Sequence, residues 1–445
     1  MRALLILAVA LAAAAHAQPD PDAEPAPSAE GDWDGVARMP GQTMGVSLTL
    51  THDDGEWSGT ADAPDAGMKD TPFDRVVVSG DSLRMEMMGG MAVLDGRFSA
   101  GGDHATGELY YGGELGGTFA LARPGSPQAL AIIEEIGAWK VPPSPHPDSA
   151  RIVTEDIPRF WAAFDASTPE TRAAVLQRDY FDPATIGLED FLGIKIGSVE
   201  RMARTVDRRP RFYASLRPST LRIAEAEPEI RAAFRRMEAL YPDAVFPDVY
   251  FVVGAMTAGG TVSQRGLLLG AEFIGRTPDM PTDELTDWHR AVIAPVEETA
   301  FIVAHELVHY EQKFAVSEQT LLVGALREGS ADYVGEVISG GMINAHIHAW
   351  ADPREREVWC AFQAEMDGDD TSNWLANGGS DNRPAGLDYA DLGYYVGYKI
   401  AEAYHDRAQA AGRTDEEVVR EILHVSDAQA FLDQSGYAER FACGD

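Results

Sequence analysis

The run His305-Glu-Leu-Val-His309 limits how the surrounding part of this chain can fold. On an α-helix, residues four positions apart lie on the same face, so both imidazoles can reach a single metal ion. The carboxylate of Glu306 points into the same site, where it can take a proton from a water molecule that the metal activates. The flanking residues are apolar, and two histidines beside a glutamate would be costly to bury there without a metal. The run therefore predicts a metal-binding helix that begins near Pro295.

After eighteen intervening residues comes a second element, Glu328, with Asp332 four positions later. On a helix these two carboxylates share a face. Catalytic zinc is held by three protein ligands and keeps one position open for water. His305, His309 and Glu328 supply those three ligands. Asp332 is then placed to accept a hydrogen bond from the outward nitrogen of a ligating histidine.

Two other carboxylates are alternative third ligands. Glu311 lies only two positions after the second histidine and projects to another face, whereas Glu336 lies one turn beyond Asp332. The spacing therefore favours Glu328 over both. The helix that carries it is expected to span 317–340, because Ser and Gly-Gly are good start and stop signals.

The net charge of the chain limits the kinds of partner that it is expected to bind. The 445 residues include 71 acidic and 36 basic side chains, for a formal net charge of −35. Such a surface repels nucleic acid and anionic membranes, so neither is an expected partner. The length allows two or three domains, each with its own core.

The N-terminus has the pattern of a secretory signal peptide in residues 1–17, with one arginine, a short apolar run and a site for cleavage after Ala17. The apolar run is too short to span a membrane, and no later run has that length. We therefore expect an exported protein, periplasmic or extracellular, that is soluble and has no membrane insertion. Residues 18–31 are Pro-rich and acidic, which is typical of a disordered leader.

Short segments of alternating polarity, punctuated by Gly and Asp, fill residues 32–123. This pattern predicts an antiparallel β-barrel or sandwich. With Trp33-Asp-Gly near its start and Gly55-Glu-Trp-Ser-Gly-Thr60 in an early strand, the stretch resembles the small β-barrel modules that precede some exported hydrolases. That resemblance implies a fold and a packing role; docking of substrate is the alternative.

A Pro-rich linker is expected at 124–150, with one short helix, and a mainly helical domain at 151–445. Two strand candidates, Asp248–Val253 and Gly266–Ile274, precede the metal-binding helix. They are expected to form either a sheet edge that holds an extended peptide or an ordinary core hairpin.

The two cysteines of the chain are Cys360 and Cys443. In an oxidising compartment they are expected to form a disulfide that ties the C-terminal tail to an inner helix. The alternative is a pair of free thiols.

The pattern H-E-x-x-H, eighteen residues, E-x-x-x-D resembles the glutamate-ligand zinc peptidases, or gluzincins. The resemblance implies the same zinc ligands, with Glu306 as the general base and Asp332 as the partner of a ligating histidine. The other zincin pattern needs a Gly and a third His where this chain has Gln312 and Ala315.

The stretch Asp391–Tyr404, together with Phe181–Phe191 and Glu328–Asp332, resembles a largely uncharacterised family of zinc-dependent bacterial proteases. Peptidases of this type often use a Tyr or His to donate to the oxyanion. Tyr394, Tyr395 and Tyr398 are the candidates. Tyr394 and Tyr398 share a helix face, and one of them is the expected donor. The alternative for each is aromatic core packing.

The other histidines and one acidic segment are expected to have ordinary structural roles. His346 and His348 are two apart, which suits a strand or loop, and surface or capping roles are expected for both. Asp367–Asp370 lacks the spacing and closing Glu of a calcium loop, so it reads as a solvated turn.

The combined expectation is a multidomain protein with an N-terminal antiparallel β-barrel followed by a mainly helical α+β, zincin-like metallopeptidase domain. It would hold one Zn²⁺ per chain and act on a peptide or protein substrate. Two alternatives stay open. One is a zinc hydrolase of a non-peptide amide or acyl bond, and the other is a non-catalytic binding protein with a structural metal.

Overall fold

The computed structural model describes residues 29–66, 68–316 and 319–443. The chain divides into two compact units, one of residues up to Arg38 and Met44–Glu135, the other of Met39–Thr43 and residues from Ile136 on. The predicted signal peptide and most of the predicted leader lie outside the described residues.

The first unit is a curled antiparallel sheet that forms a half-barrel. Its strands are β1 (Gly31–Met39), β2 (Gln42–Asp53), β3 (Glu56–Ala63), β4 (Met68–Pro72), β5 (Arg75–Ser79), β6 (Ser82–Met87), β7 (Ala92–Phe98), β8 (His104–Tyr111) and β9 (Glu114–Ala122). They lie in the order β4-β3-β2-β1-β9-β8-β7-β6-β5. The terminal strands β4 and β5 of this order are separated in the chain only by Phe73 and Asp74, whose N–H groups donate to Gly59 O at 3.0 Å and to Glu86 O at 2.8 Å. The half-barrel is the part of the predicted barrel that the structure shows.

The concave core of this sheet follows from the alternation of its strands. In β6, Leu83, Met85 and Met87 are buried, whereas Arg84 between them is exposed. The inward positions of the other strands join them around the fully buried Trp33. Such alternation is expected when one face of a sheet is packed and the other is solvated.

The second unit is mainly helical. The helices in the described residues are α1 (Pro127–Trp139), α2 (Asp156–Ala166), α3 (Arg172–Leu176), α4 (Ile186–Phe191), α5 (Val199–Arg208), α6 (Pro210–Thr220), α7 (Glu227–Leu240), α8 (Asp287–Val292), α9 (Thr299–Glu311), α10 (Leu321–Ser339), α11 (Ala345–Ala351), α12 (Glu355–Glu365), α13 (Leu392–Ala410), α14 (Asp415–Leu423) and α15 (Ala428–Ser435). Among these described residues, no helix combines the length and apolar character needed to cross a membrane.

A small mixed sheet lies within the helical unit. Its strands β10 (Ile152–Val153), β11 (Val249–Val252), β12 (Gly260–Ser263) and β13 (Gly266–Gly270) have the order β10-β11-β13-β12. β11 and β13 are fully buried, run parallel and lie inside the sheet, so they form neither a hairpin with each other nor the sheet edge, and both alternatives for these strands are wrong. β13 instead forms a hairpin with β12, which is partly exposed at the edge of the sheet.

The two helices that carry the predicted ligands begin later than the sequence suggests. Pro295 is extended (φ −67°, ψ 155°), and a short 3₁₀ turn precedes α9. The side chain of Thr320 accepts a hydrogen bond from Val323 N and so caps α10, which ends at Gly340 in a left-handed conformation (φ 86°). A capping hydroxyl and a C-terminal glycine are common helix boundaries.

Helices α10 and α13 cross at very short range. A Cβ atom at Gly397 would collide with the carbonyl of Ala325, and one at Gly329 would collide with the backbone at Tyr398. Gly335 similarly leaves room for α9, since a Cβ there would lie 3.3 Å from the backbone of His305. These small residues bring the three helices close enough for their side chains to meet.

Cys360 on α12 and Cys443 near the C-terminus form a disulfide with a Cα–Cα distance of 5.4 Å. The bond joins positions 83 residues apart in the chain. It fixes the end of the described chain to an inner helix of the second unit.

Candidate metal centre

The two histidines of the motif lie one turn apart on α9 and face the same side. Their ring centroids are 4.5 Å apart and the rings are perpendicular. His305 is buried and His309 is partly exposed. Helical spacing alone accounts for this arrangement.

Glu328 reaches the histidines from α10. Its Oε2 atom lies 3.2 Å from Nε2 of His309 and 3.8 Å from Nε2 of His305. One candidate ligand atom from each residue lies within 4.8 Å of the other two. A two-nitrogen, one-oxygen donor set of this kind suits zinc.

The two alternative third ligands are engaged elsewhere. Oε1 of Glu311 accepts a hydrogen bond from Val245 N at 2.7 Å. Oε2 of Glu336 accepts one from the hydroxyl of Tyr398 at 2.8 Å. Within the described residues, the donor cluster consists of His305, His309 and Glu328.

Strong electrostatic coupling links Glu328 to the histidines. Burial opposes the charge on each group, but the Glu328 carboxylate outweighs it for His309 and raises the pKa of that imidazole. His309 in turn holds the pKa of Glu328 below its usual range against the effect of burial. A buried carboxylate here thus calls for a positive partner, a role that a divalent cation can fill.

The outward nitrogen of each histidine faces a polar side chain. Nδ1 of His305 lies 2.8 Å from Oδ1 of the buried Asp332, although the two groups are not aligned for a hydrogen bond. The other carboxylate oxygen of Asp332 accepts a hydrogen bond from Asn344 at 2.7 Å. Partners in these positions orient a ligating histidine.

Gln312 performs the same task for His309. Its Oε1 atom lies 3.0 Å from Nδ1 of His309, and its Nε2 atom donates to the carbonyl of Arg327 and the hydroxyl of Ser330. In the sequence, Gln312 serves only to distinguish two peptidase patterns, and its contact with His309 is not predicted. Its position three residues after His309 is the signal that could have found it.

Glu306 is buried beside the two histidines. Burial raises the pKa of its carboxyl group above the ordinary value. Its carboxylate packs against Gly260 of the edge strand β12, where a Cβ atom would collide with it. The general base candidate therefore lies between the metal ligands and the sheet edge.

An open cavity of about 1060 Å³ contains this cluster. Its walls include His305, Glu306, His309 and Glu328 on one side and the edge strand residues Gly260 and Thr261 on another. The volume is sufficient for several residues of an extended peptide.

The structure separates the candidate tyrosines. Tyr394 lines the cavity, and its phenol is close enough to Glu328 for each group to shift the pKa of the other. The hydroxyl of Tyr398 donates to Glu336, and that of Tyr395 donates to Asp352 at 3.1 Å. Of the three, Tyr394 is thus the one whose phenol is near the donor cluster.

The structure also places the two other histidines and the acidic segment that the sequence singles out. His346 and His348 are on helix α11, not on a strand or loop. His346 lines the cavity, and His348 packs with its ring centroid 4.5 Å from that of Tyr398. Asp370 accepts a hydrogen bond from Ser372 N at 2.9 Å within an exposed turn.

Comparisons of the chain with family models, with curated proteins and with solved structures give no match. Its function must therefore be inferred from the residues and geometry of the site. These supply three metal donors, a carboxylate positioned to exchange a proton and a phenol positioned to donate a hydrogen bond.

Proposed function

We propose that this chain is an exported, zinc-dependent metallopeptidase with a gluzincin-type ligand set. His305, His309 and Glu328 hold one zinc ion per chain, and the substrate is a peptide or protein. The observation that carries the proposal is the convergence of these three donors within 4.8 Å, with Glu306 beside them in a peptide-sized cavity.

The donor set fits zinc better than a hard cation. Two imidazoles and one carboxylate are a common catalytic zinc ligand set, whereas calcium and magnesium prefer oxygen atoms. The partners Asp332 and Gln312 favour ligation by holding the outward nitrogens of the histidines. When bound, zinc acts as a Lewis acid on the scissile carbonyl and lowers the pKa of water.

Glu306 is the proposed general base. It accepts a proton from the attacking water and delivers it to the amide nitrogen as the tetrahedral intermediate collapses, so that the leaving group departs as a neutral amine. Tyr394 is the proposed donor to the oxyanion, because its phenol lines the same cavity and lies near Glu328.

The edge strand favours a peptide over a small acyl compound as the substrate. β12 pairs with β13 along one side, and within the described residues no strand pairs with its other side. An extended peptide can add to such an edge through main-chain hydrogen bonds. Gly260 on this strand contacts Glu306, so the added chain would pass beside the proposed base.

Metal content tests the ligand set. Elemental analysis of the purified protein should give about one zinc per chain in the wild type. We expect Glu328→Ala to lose the metal and the matched control Glu336→Gln to retain it, since Glu336 bonds to Tyr398. No zinc in the wild type after reconstitution would overturn the proposal.

The role of the base is tested separately. In Glu306→Gln, hydrolysis of a peptide library should collapse by roughly two to four orders of magnitude while zinc content stays constant. Retained zinc with unchanged hydrolysis would contradict the mechanism. Retained zinc with no peptide hydrolysis in the wild type would favour a structural metal or a non-peptide substrate.

A further inference from the structure

A second cleft opens beside the metal cavity, between helix α5 and the loop that follows β11. It has a volume of about 450 Å³. Its lining residues are Arg201, Arg204, Thr205, Arg208, Arg209, Ala255, Met256 and Thr257. Four arginines therefore line one small space, in a chain whose formal net charge is −35.

These arginines differ from their neighbours in having no acidic partner. Nearby arginines pair with carboxylates, as in Arg172 with Asp207 and Arg217 with Asp165. Within the part of the chain that the structure describes, no carboxylate lies at ion-pair distance from the four arginines of the cleft. Arg201, Arg204 and Arg208 are exposed on α5, so this helix face is solvated, as the spacing of its charged residues favours.

Two buried polar atoms in the cleft also lack partners. Nε of Arg209 and Oγ1 of Thr257 are shielded from solvent and form no hydrogen bond within the described residues. Nearly all buried polar side-chain atoms in folded proteins are paired. Both orphan atoms belong to residues that line the cleft, so the protein does not satisfy all the polar groups of the cleft wall.

The loop that forms the far wall is held rigidly. Met256 has a left-handed backbone (φ 57°), which is strained for a side chain of this size. The carboxylate of Glu272 accepts hydrogen bonds from Gly254 N at 2.7 Å and Met256 N at 3.2 Å. Strained segments that the surroundings hold in place are often found at ligand sites.

Thr257 connects the cleft to the metal centre, because it lines both spaces. We propose that the cleft is a substrate subsite that binds the carboxylates of an acidic peptide segment while the adjoining residues lie at the metal centre. This assignment of substrate class rests on the proposed peptidase function. Guanidinium groups bind carboxylates through paired, charge-assisted hydrogen bonds.

The length of the arginine row favours a peptide over a small inorganic anion. Arg201 and Arg208 are seven residues apart on α5, which separates them by roughly 10 Å along the helix axis. A single phosphate cannot contact both ends of such a row. An acidic peptide presents several carboxylates over that distance.

Binding of a defined peptide tests the proposal without relying on catalysis. Glu306→Gln protein is titrated by calorimetry at low ionic strength with blocked tetraglutamate and, as the neutral control, blocked tetraglutamine. The charge-removing double variant is Arg204→Ala/Arg208→Ala. The matched control is Arg235→Ala/Arg420→Ala, which removes two exposed arginines that pair with Asp148 and Asp243.

We expect tetraglutamate to bind, tetraglutamine not to bind, and the cleft double variant to weaken tetraglutamate binding by roughly tenfold or more. The control double variant should change it less than about twofold. Equal weakening in both double variants, or absence of tetraglutamate binding, would overturn the subsite. Inorganic phosphate binding as tightly at the same arginines would overturn the peptide assignment.

Removal of the metal separates this proposal from the peptidase function. Chelation should abolish hydrolysis but leave the arginine-dependent binding in place, because no residue of the cleft is a proposed ligand. Arginine-dependent binding in a wild-type protein that takes up no zinc even after reconstitution would overturn the peptidase and keep the anion site. Zinc-dependent hydrolysis without that binding would overturn the subsite alone.

Discussion

Asp332 and Gln312 show how single residues prepare the histidines for a metal. Asp332 lies behind His305, and Gln312 lies behind His309 at the end of the same helix. Each partner determines which ring nitrogen carries the proton and therefore which nitrogen is free to bind a metal. The charge of Asp332 lies 2.8 Å behind His305, where it would favour binding of a cation by that imidazole.

Replacing Asp332 with Asn should weaken zinc binding by roughly 10- to 100-fold, because the neutral amide cannot supply this charge. Competition with a chelator measures the change in dissociation constant. Asp352→Asn is the matched control, since Asp352 accepts a hydrogen bond from Tyr395 and lies outside the cavity lining. An unchanged zinc affinity in Asp332→Asn would show that Asp332 has only a structural role.

At the residue scale, the sequence reveals those groups whose spacing follows helical geometry. His305, His309 and Glu306 share one turn of helix, and Gln312 could have been found by the same rule. Asn344 and Gly260 could not, because they reach the site from other elements of the fold. A local sequence pattern carries no information about contacts between residues that are far apart in the chain.

At the scale of elements, the site depends on how closely α10 and α13 cross. The crossing sets the position of Glu328 on one helix and Tyr394 on the other. Gly329 and Gly397 permit it, since each meets backbone of the partner helix where a Cβ atom would be. Backbone atoms cannot rotate away as a flexible side chain can.

Gly397→Ala should therefore lower the free energy of unfolding by about 2 kcal/mol and reduce zinc affinity, because the helices must separate. Denaturant unfolding and chelator competition measure the two effects. The control is Gly137→Ala on α1, where a Cβ atom meets nothing within 4 Å. That control should be neutral or stabilising by up to about 1 kcal/mol. Zinc affinity unchanged in Gly397→Ala would contradict the link between crossing and site.

The small sheet illustrates what sequence patterns miss between elements. The apolar runs of β11 and β13 predict buried strands, and both are buried. Their parallel pairing is not predicted, because periodicity within a strand carries no information about its neighbour. The edge position of β12, which favours a peptide substrate, depends on this pairing order.

At the scale of the whole molecule, the composition separates a sheet-forming part from a helical part, and the structure has both. The sequence does not predict in the same way how far the sheet curls. Closure of a barrel depends on pairing between the first and last strands of the sheet, which alternation within each strand cannot specify. The sequence therefore predicts the strands and a curled sheet, but not the extent of its closure.

The stability of the helical unit is expected to depend on pH through Glu272. Burial raises the pKa of this carboxyl group from 4.5 to about 7, against the opposing effect of the hydrogen bonds from Gly254 and Met256. Tyr180 and Tyr213 feel its charge but stay protonated in this range, since burial raises the pKa of each phenol well above 10. Glu272 is thus the member of this group that titrates near neutral pH.

A raised carboxyl pKa means that the folded state binds more protons than the unfolded state between pH 4.5 and about 7. Stability conferred by Glu272 is therefore fully present below pH 4.5 and is lost as the pH rises to about 7. The shift corresponds to roughly 3 kcal/mol. Glu272→Gln does not titrate, so its stability relative to wild type should rise by about that amount across the interval.

Urea unfolding at a series of pH values, followed by the far-ultraviolet helical signal, measures this difference for the mainly helical unit. Exposed Glu200 on α5 provides the control, and Glu200→Gln should follow the wild-type curve. A wild-type curve parallel to that of Glu272→Gln between pH 4.5 and 7 would show that the carboxyl group does not change its protonation on folding. Parallel curves below pH 4.5 are the outcome that the linkage requires, because there the carboxyl group is neutral in both the folded and the unfolded chain and the stability difference is constant.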